Sequence, residues 1–166
     1  FVKKKSGIFP GGTTKNEKRD IAENVPCWIK ENCIQCNQCA FVCPHSVIRP
    51  FLLNQEEYDK APNYIKNRAL KAMGKANMYY VLGISIMNCT GCGLCMKACP
   101  SKQTSKALVA STLVEQYKDN EQKVFDYLEK NVSEKIEYPI NSVKGSQFKK
   151  PKFSFCGACA GCGETS

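Results

Sequence analysis

Two short apolar stretches, Val25 to Ile29 and Tyr79 to Met87, stand out from a polar background, and each runs directly into a segment where cysteine alternates with small and polar residues. Their length and content of branched and aromatic residues predict strands. Between them, Asn54 to Lys75 is rich in Lys, Asn, Tyr and Ala, and the spacing of Tyr64, Ile65, Leu70 and Met73 predicts a short helix. Farther on, Leu113, Tyr117, Val124, Tyr127 and Leu128 recur at helical spacing, interrupted at Asp119-Asn120. That pattern predicts a helix or a helix pair whose apolar stripe packs on a core. Tyr138 to Lys152 is polar, with Pro139, Gly145 and Pro151 as breakers, and reads as an extended linker. Phe1 to Glu23 is basic with no period, and reads as an arm.

Laying Asn32-Cys33 over Asn88-Cys89 aligns Cys33, Cys36, Cys39, Cys43 and Pro44 with Cys89, Cys92, Cys95, Cys99 and Pro100 at one constant offset. Repetition at a fixed offset is the mark of an internal duplication. Each copy follows one of the two strand-like stretches and ends in Cys-Pro. The proline stops the helical turn that the last cysteines share, since it lacks the amide donor and restricts the residue before it.

Length and charge narrow the picture. A chain of 166 residues with 43% hydrophobic content builds one ordinary core. Twelve cysteines would invite a disulfide framework. There is no charged-then-apolar leader, however, and the longest largely apolar run, Tyr79 to Met87, is far too short to span a bilayer. A soluble, reducing compartment, the cytoplasm, is expected, or an anaerobic organelle if the source is eukaryotic. There, clustered thiols bind metal instead of pairing. The net charge of +9, from 24 Lys and Arg against 15 Asp and Glu, favours acidic partners, but it is scattered and carries no nucleic-acid recognition motif. Opening at Phe1 and stopping at Ser166 after a cysteine-rich stretch, the chain is expected to be part of a longer polypeptide.

Cys-x2-Cys-x2-Cys-x3-Cys-Pro has a physical reason. Two-residue spacers let a loop wrap three thiolates around three corners of one cubane, and the fourth iron needs a distant ligand. In bacterial dicluster proteins the fourth cysteine of each run serves the other cluster. Applied here, Cys33, Cys36 and Cys39 take Cys99, while Cys89, Cys92 and Cys95 take Cys43. Zinc normally uses two Cys-x2-Cys pairs separated by a longer loop, which two intact four-cysteine runs do not suit. Two bound clusters would bring the formal charge to about +5. Gly91 and Gly93 let the backbone approach a cluster, and Ile34, Phe41, Val42 and Leu94 are expected to exclude water from it. A low-potential electron carrier follows. His45, the only histidine, reads as structural or surface, and Cys27, beside Trp28, as a packed free thiol.

Cys156, Cys159 and Cys162 form a third Cys-x2-Cys-x2-Cys with no cysteine after it. With this string the chain becomes similar to a known family. Cys159-Ala160-Gly161-Cys162-Gly163-Glu164-Thr165, the Asn32 to Cys39 run, and Gly12-Thr13-Thr14-Lys15 leading to Glu17-Lys18-Arg19 resemble the single-chain pyruvate:ferredoxin (or flavodoxin) oxidoreductases. The resemblance implies conversion of pyruvate and coenzyme A to acetyl-CoA and carbon dioxide. Electrons would leave a thiamine adduct one at a time through three 4Fe-4S clusters. It further implies that Cys159 and Cys162 are half of a third cluster site completed by two cysteines downstream. Members often carry serine in place of Cys156 and an acidic residue in place of Cys27, which speaks against either as a ligand.

The resulting expectations are specific. The fold is α+β, a duplicated bacterial dicluster ferredoxin-like domain with helical insertions and extended terminal arms. Residues 1–24 form the arm. Residues 25–110 form the dicluster domain with an insertion at 50–78, residues 111–150 the covering helices and linker, and 151–166 the start of a thiamine-diphosphate domain. The cofactors are two 4Fe-4S clusters, with a third cluster, thiamine diphosphate and Mg2+ only in the complete enzyme. Without those parts the chain is not expected to turn over pyruvate. Ferredoxin or flavodoxin is the expected acceptor, the other domains of the oxidoreductase and a homodimer of the full enzyme are expected partners, and no nucleic acid or membrane is. A free-standing dicluster ferredoxin, or the cluster subunit of a split 2-oxoacid oxidoreductase, is the alternative.

Overall fold

The two apolar stretches do become strands, and the way they pair sets everything else. The computed structural model describes residues 20–101 and 105–150. Strand β1 (Asn24–Trp28) pairs antiparallel with β5 (Leu108–Thr112), placing Trp28 opposite Leu108. A second, three-stranded sheet has the order β2-β4-β3, with β2 at Ile48–Leu53, β3 at Leu70–Lys71 and β4 at Tyr79–Ile84. Its central strand is antiparallel to both neighbours. Each cysteine run therefore lies in a strand, loop, helix, strand unit. The first strand of each unit pairs with the last strand of the other.

β4 ends at Ile84, earlier than its apolar run, and the chain tightens into a 3-10 turn at Ile86–Asn88. β2 crosses residue 50, where the sequence suggested an insertion beginning. Pro50 hides the strand from a propensity reading, but β2 is an edge strand, so the missing donor breaks no ladder bond. The segment between β2 and β4 is two short helices, α2 (Gln55–Lys60) and α3 (Asn63–Lys66), and Leu70 belongs to a strand instead of the expected helix. α2 starts with a capping box: Glu57 N–H donates to Asn54 Oδ1 at 2.8 Å, and Asn54 N–H donates to Glu57 Oε2 at 3.0 Å.

The cysteine runs carry two short helices, α1 (Gln38–Phe41) and α4 (Leu94–Ala98). The helix pair after β5 falls where its period predicts, as α5 (Leu113–Lys118) and α6 (Glu121–Asn131), broken at Asn120, whose φ is 59°. α6 buries Val124, Phe125 and Leu128 against the back of β4. β4 is consequently covered on both faces, with Tyr80, Val81, Leu82 and Ile84 at most 1% exposed. Gly83 is what lets α6 come so close. A Cβ there would stand 3.0 Å from the Phe51 ring and 3.3 Å from both Leu128 and Phe125. Gly83→Ala is expected to destabilise the folded protein by about 1–3 kcal/mol through overpacking, read as a lower midpoint in denaturant.

The expected linker after Tyr138 is folded. It contains α7 (Val143–Ser146), and Phe148 is buried with its ring stacked on Tyr138 at 5.3 Å and edge-on to Tyr80 at 6.2 Å. Among the described residues no helix is long and apolar enough to cross a membrane.

Candidate metal centre

Both cysteine loops are built by the same local moves. After β1 the chain makes a 3-10 turn at Lys30–Asn32, the counterpart of the turn after β4. Cys33 N–H closes onto Lys30 O at 3.0 Å, and Cys89 N–H onto Ile86 O at 3.3 Å. Two residues later an amide turns back to the same cysteine, Gln35 N–H to Cys33 Sγ and Gly91 N–H to Cys89 Sγ, both at 3.4 Å. Reversing the chain this tightly needs left-handed backbone: φ is 53° at Gln35 and 62° at Asn37, against 71° at Gly91 and 74° at Gly93.

Glycine adopts that conformation freely, whereas a side chain makes it costly. Gln35 and Asn37 use their side chains elsewhere. Gln35 donates from Nε2 to Lys71 O at 2.8 Å and accepts from Met73 N–H at 2.9 Å. Asn37 donates to Lys144 O in α7 at 2.8 Å and accepts the Tyr80 hydroxyl at 2.9 Å. The first loop is thus fastened beneath the β3 segment and α7, and the second loop, with glycine at both positions, lacks these ties.

The strand pairing decides where the fourth cysteine of each run goes. Cys43 leads into β2, which lies beside β4 and the second loop. Cys99 precedes β5, which lies beside β1 and the first loop. As a result Cys33, Cys36, Cys39 and Cys99 line one cavity together with Trp28, Tyr80, Leu82 and Leu108. Cys43, Cys89, Cys92 and Cys95 line a second with Pro26, Val47, Ile48 and Met96. The nine described cysteines are all free thiols. Among the described residues no three His, Cys, Asp or Glu side chains converge on a single-ion site. The thiols are spread around the two cavities.

Their electrostatics call for a cation. Burial pushes the Cys33 thiol up, and repulsion from Cys36 and Cys99 adds to it, against the Gln35 amide. Cys39 lies far above the usual thiol range through burial, then Cys33, Cys36 and, from the other set, Cys95, so the two cavities feel each other. Burial, then Cys43 and Cys92, raise Cys89, although the Gly91 amide opposes them. Cys95 is pushed up to about 12 by burial and by Cys43 and Cys89. Cys99 is the exception: burial opposes ionisation, but hydrogen bonds from Ser101 and the amides of Ala107 and Leu108 outweigh it and lower the thiol. Four thiolates crowded in a half-buried cavity become stable when positive metal compensates them.

Of the expected water excluders, Ile34 does line the first cavity and Val42 is half-buried, whereas Phe41 and Leu94 line neither cavity. Ile34, Phe41 and Leu94 are 50%, 57% and 45% exposed. Most of the apolar wall is made by Trp28, Tyr80, Leu82, Leu108, Val47 and Ile48. They come from the strands, whereas the sequence pattern drew attention to the neighbours of the cysteines. His45 lines the second cavity next to Cys43. Cys27 is half-buried beside Gln116 of α5 and lines neither cavity. Gly12 to Arg19, Cys156, Cys159, Cys162, Glu164 and Thr165 lie outside the described residues. Sequence reasoning missed Ser101 and Asn37, and only the presence of a single tryptophan pointed towards Trp28.

Residues 32–103 match the family model of the 4Fe-4S dicluster domain. The chain is 46% identical over 165 residues to pyruvate-flavodoxin oxidoreductase of Klebsiella pneumoniae, an alignment that covers 99% of this chain and 14% of that protein. The chain is homologous to one segment of this oxidoreductase family. Pyruvate:ferredoxin oxidoreductase of Moorella thermoacetica is 42% identical over 96% of the chain and 13% of its own length. The mitochondrial pyruvate dehydrogenase [NADP(+)] of Euglena gracilis is 38% identical over 96% of the chain and 8% of its length. The chain therefore spans about one seventh of the length of the first two oxidoreductases. The dicluster match and the mixed helix and strand content agree with the ferredoxin-like reading, and iron–sulfur clusters are its cofactors.

Proposed function

We propose that this chain is the electron-conducting section of a pyruvate:ferredoxin or pyruvate:flavodoxin oxidoreductase, holding one 4Fe-4S cluster on Cys33, Cys36, Cys39 and Cys99 and another on Cys89, Cys92, Cys95 and Cys43. The observation that carries this reading is the pair of adjacent cavities, each lined by three thiols of one run and the last thiol of the other. Each bound cluster supplies a one-electron redox couple whose potential depends on its charge, its hydrogen bonds and its exposure. The chain's own residues hold the clusters side by side, direct the Gln35 and Gly91 amides at cysteine sulfur, and wall off water with strand side chains.

The matched turns, positive-φ positions and exchanged strands of the two units support an origin by duplication. The parent activity, pyruvate and coenzyme A to acetyl-CoA and carbon dioxide, belongs to the complete polypeptide. There, Cys159 and Cys162 would begin a third cluster site, beside thiamine diphosphate and Mg2+. Ferredoxin or flavodoxin, the acceptors in the relatives' names, would take the electrons.

Anaerobic reconstitution of this chain with iron and sulfide tests the cluster assignment. About eight irons per chain are expected, with reduction giving two magnetically interacting clusters. Chelation of the iron should loosen the fold, because each site ties both units together. Uptake of a single zinc, or about four irons with no interaction, would count against the assignment.

A further inference from the structure

Trp28, the only tryptophan in the chain, ends β1 with its side chain 6% exposed and lines the first cavity beside Cys33, Cys36, Cys39 and Cys99. Its Nε1 is buried without a hydrogen bond of normal geometry, and the acceptor within its reach is the Cys33 sulfur. Among the described residues, the other buried side-chain polar atoms without partners, on Asn88, Gln116 and Glu121, are all acceptors. An unpaired indole N–H in the interior carries a desolvation cost that phenylalanine or leucine would not incur.

The ring is held in place. Tyr80 packs edge-on against it with centroids 6.1 Å apart, and the Tyr80 hydroxyl is already committed to Asn37. Nor is the arrangement repeated in the second unit. At the offset that aligns the cysteines, Ile84 stands where Trp28 does, and it has no donor to offer.

We propose that Trp28 donates its indole N–H to sulfur of the first 4Fe-4S cluster, either Cys33 Sγ or a sulfide of the cluster, and so raises that cluster's reduction potential relative to the second. The inference rests on the cluster assignment proposed above. A hydrogen bond to cluster sulfur favours the more negative, reduced state, so it makes the cluster easier to reduce. Trp28 acts here as a positioning and tuning residue, and ligation is left to the cysteines.

Trp28→Phe in the reconstituted chain keeps the ring and removes the donor. Two clusters are expected to remain by iron content. In an EPR-monitored redox titration, one cluster should become harder to reduce by roughly three- to tenfold in its equilibrium constant, tenfold being about 59 mV for one electron. The other potential should stay where it was. Both potentials unchanged with full iron content would overturn the inference, as would an equal shift of both. A wild-type chain that takes up no cluster would instead defeat the underlying assignment. If Trp28→Phe does not assemble, the wild-type protein labelled with 15N at the single indole decides. Hyperfine coupling of that nitrogen to a reduced cluster is expected, and its absence overturns the inference.

Discussion

Cys43→Ser is expected to remove the cluster held with Cys89, Cys92 and Cys95, and to leave the cluster on Cys33, Cys36 and Cys39 in place. The outcome runs against sequence proximity, since Cys43 belongs to the first run. It follows from β2 lying against β4, which carries the end of α1 over to the second loop. Iron should fall from about eight to about four per chain, and the interaction between the two reduced clusters should vanish. Cys99→Ser should give the mirror result, sparing the second cluster, because β5 lies against β1. EPR showing that Cys43→Ser abolishes the first cluster and keeps the second would disprove the crossed assignment.

The second large effect is structural. Glu121, fully buried at the start of α6, is paired with Arg68 from the segment between α3 and β3. Its Oε1 has no further partner. Burial raises the Glu121 carboxyl above the ordinary carboxylate range, and Arg68 opposes that rise. Arg68→Met removes the opposing cation and leaves a buried acid alone. A loss of about 3–5 kcal/mol is expected near neutral pH.

The sign of the pH dependence is fixed. A carboxyl whose pKa is higher folded than unfolded favours folding when protonated, and that contribution fades as pH rises through the folded value. Without Arg68 the folded value rises further. Relative to wild type, the variant should therefore be closest in stability in acid and fall farther behind as the pH climbs to 7. Denaturant titrations at several pH values on the loaded protein check this. A loss below about 1 kcal/mol that does not vary with pH would show that the pair contributes little.

Much of the site was legible because its chemistry is written in covalent spacing. Two-residue intervals between thiols constrain a loop whatever its surroundings, so the gathering of the three thiols of each run around one cavity was legible, while the crossed ligand sets came from the precedent of bacterial dicluster proteins. The break between α5 and α6 was legible for a similar local reason, since Asp119-Asn120 interrupts an otherwise continuous period and Asn120 readily takes positive φ.

What escaped depends on tertiary contact. Pro50 hides β2 because edge position, which excuses proline, is a property of the sheet. Tyr138 to Lys152 looked like linker because its polar residues outnumber its anchors, yet in its described part stacking of Phe148 on Tyr138 and the bond from Asn37 to Lys144 O fasten it to the first loop. Phe41 and Leu94 were misjudged because an apolar residue beside a ligand reads as shielding, and the chain leaves these two exposed and outside both cavities, while Ile34 keeps a place in the first. Gln35 and Asn37 are hardest of all. Nothing local marks a glutamine for left-handed backbone, and its reward lies in distant backbone groups at Lys71 and Met73.

The strand exchange has a consequence for the chain as it leaves the ribosome. With the proposed ligand sets, the first run emerges early but cannot complete a four-thiol site, because its last member is Cys99. The second site, which uses Cys43, is completed at Cys95. Both vacancies therefore close within the same few residues of synthesis, well under a few seconds apart at about 5–20 residues per second. A ribosome stalled anywhere before that point carries thiols and no finished cradle. With these ligand sets, neither cradle has all four of its thiols until synthesis has passed Cys95, and the first waits further for β5 to carry Cys99 to β1.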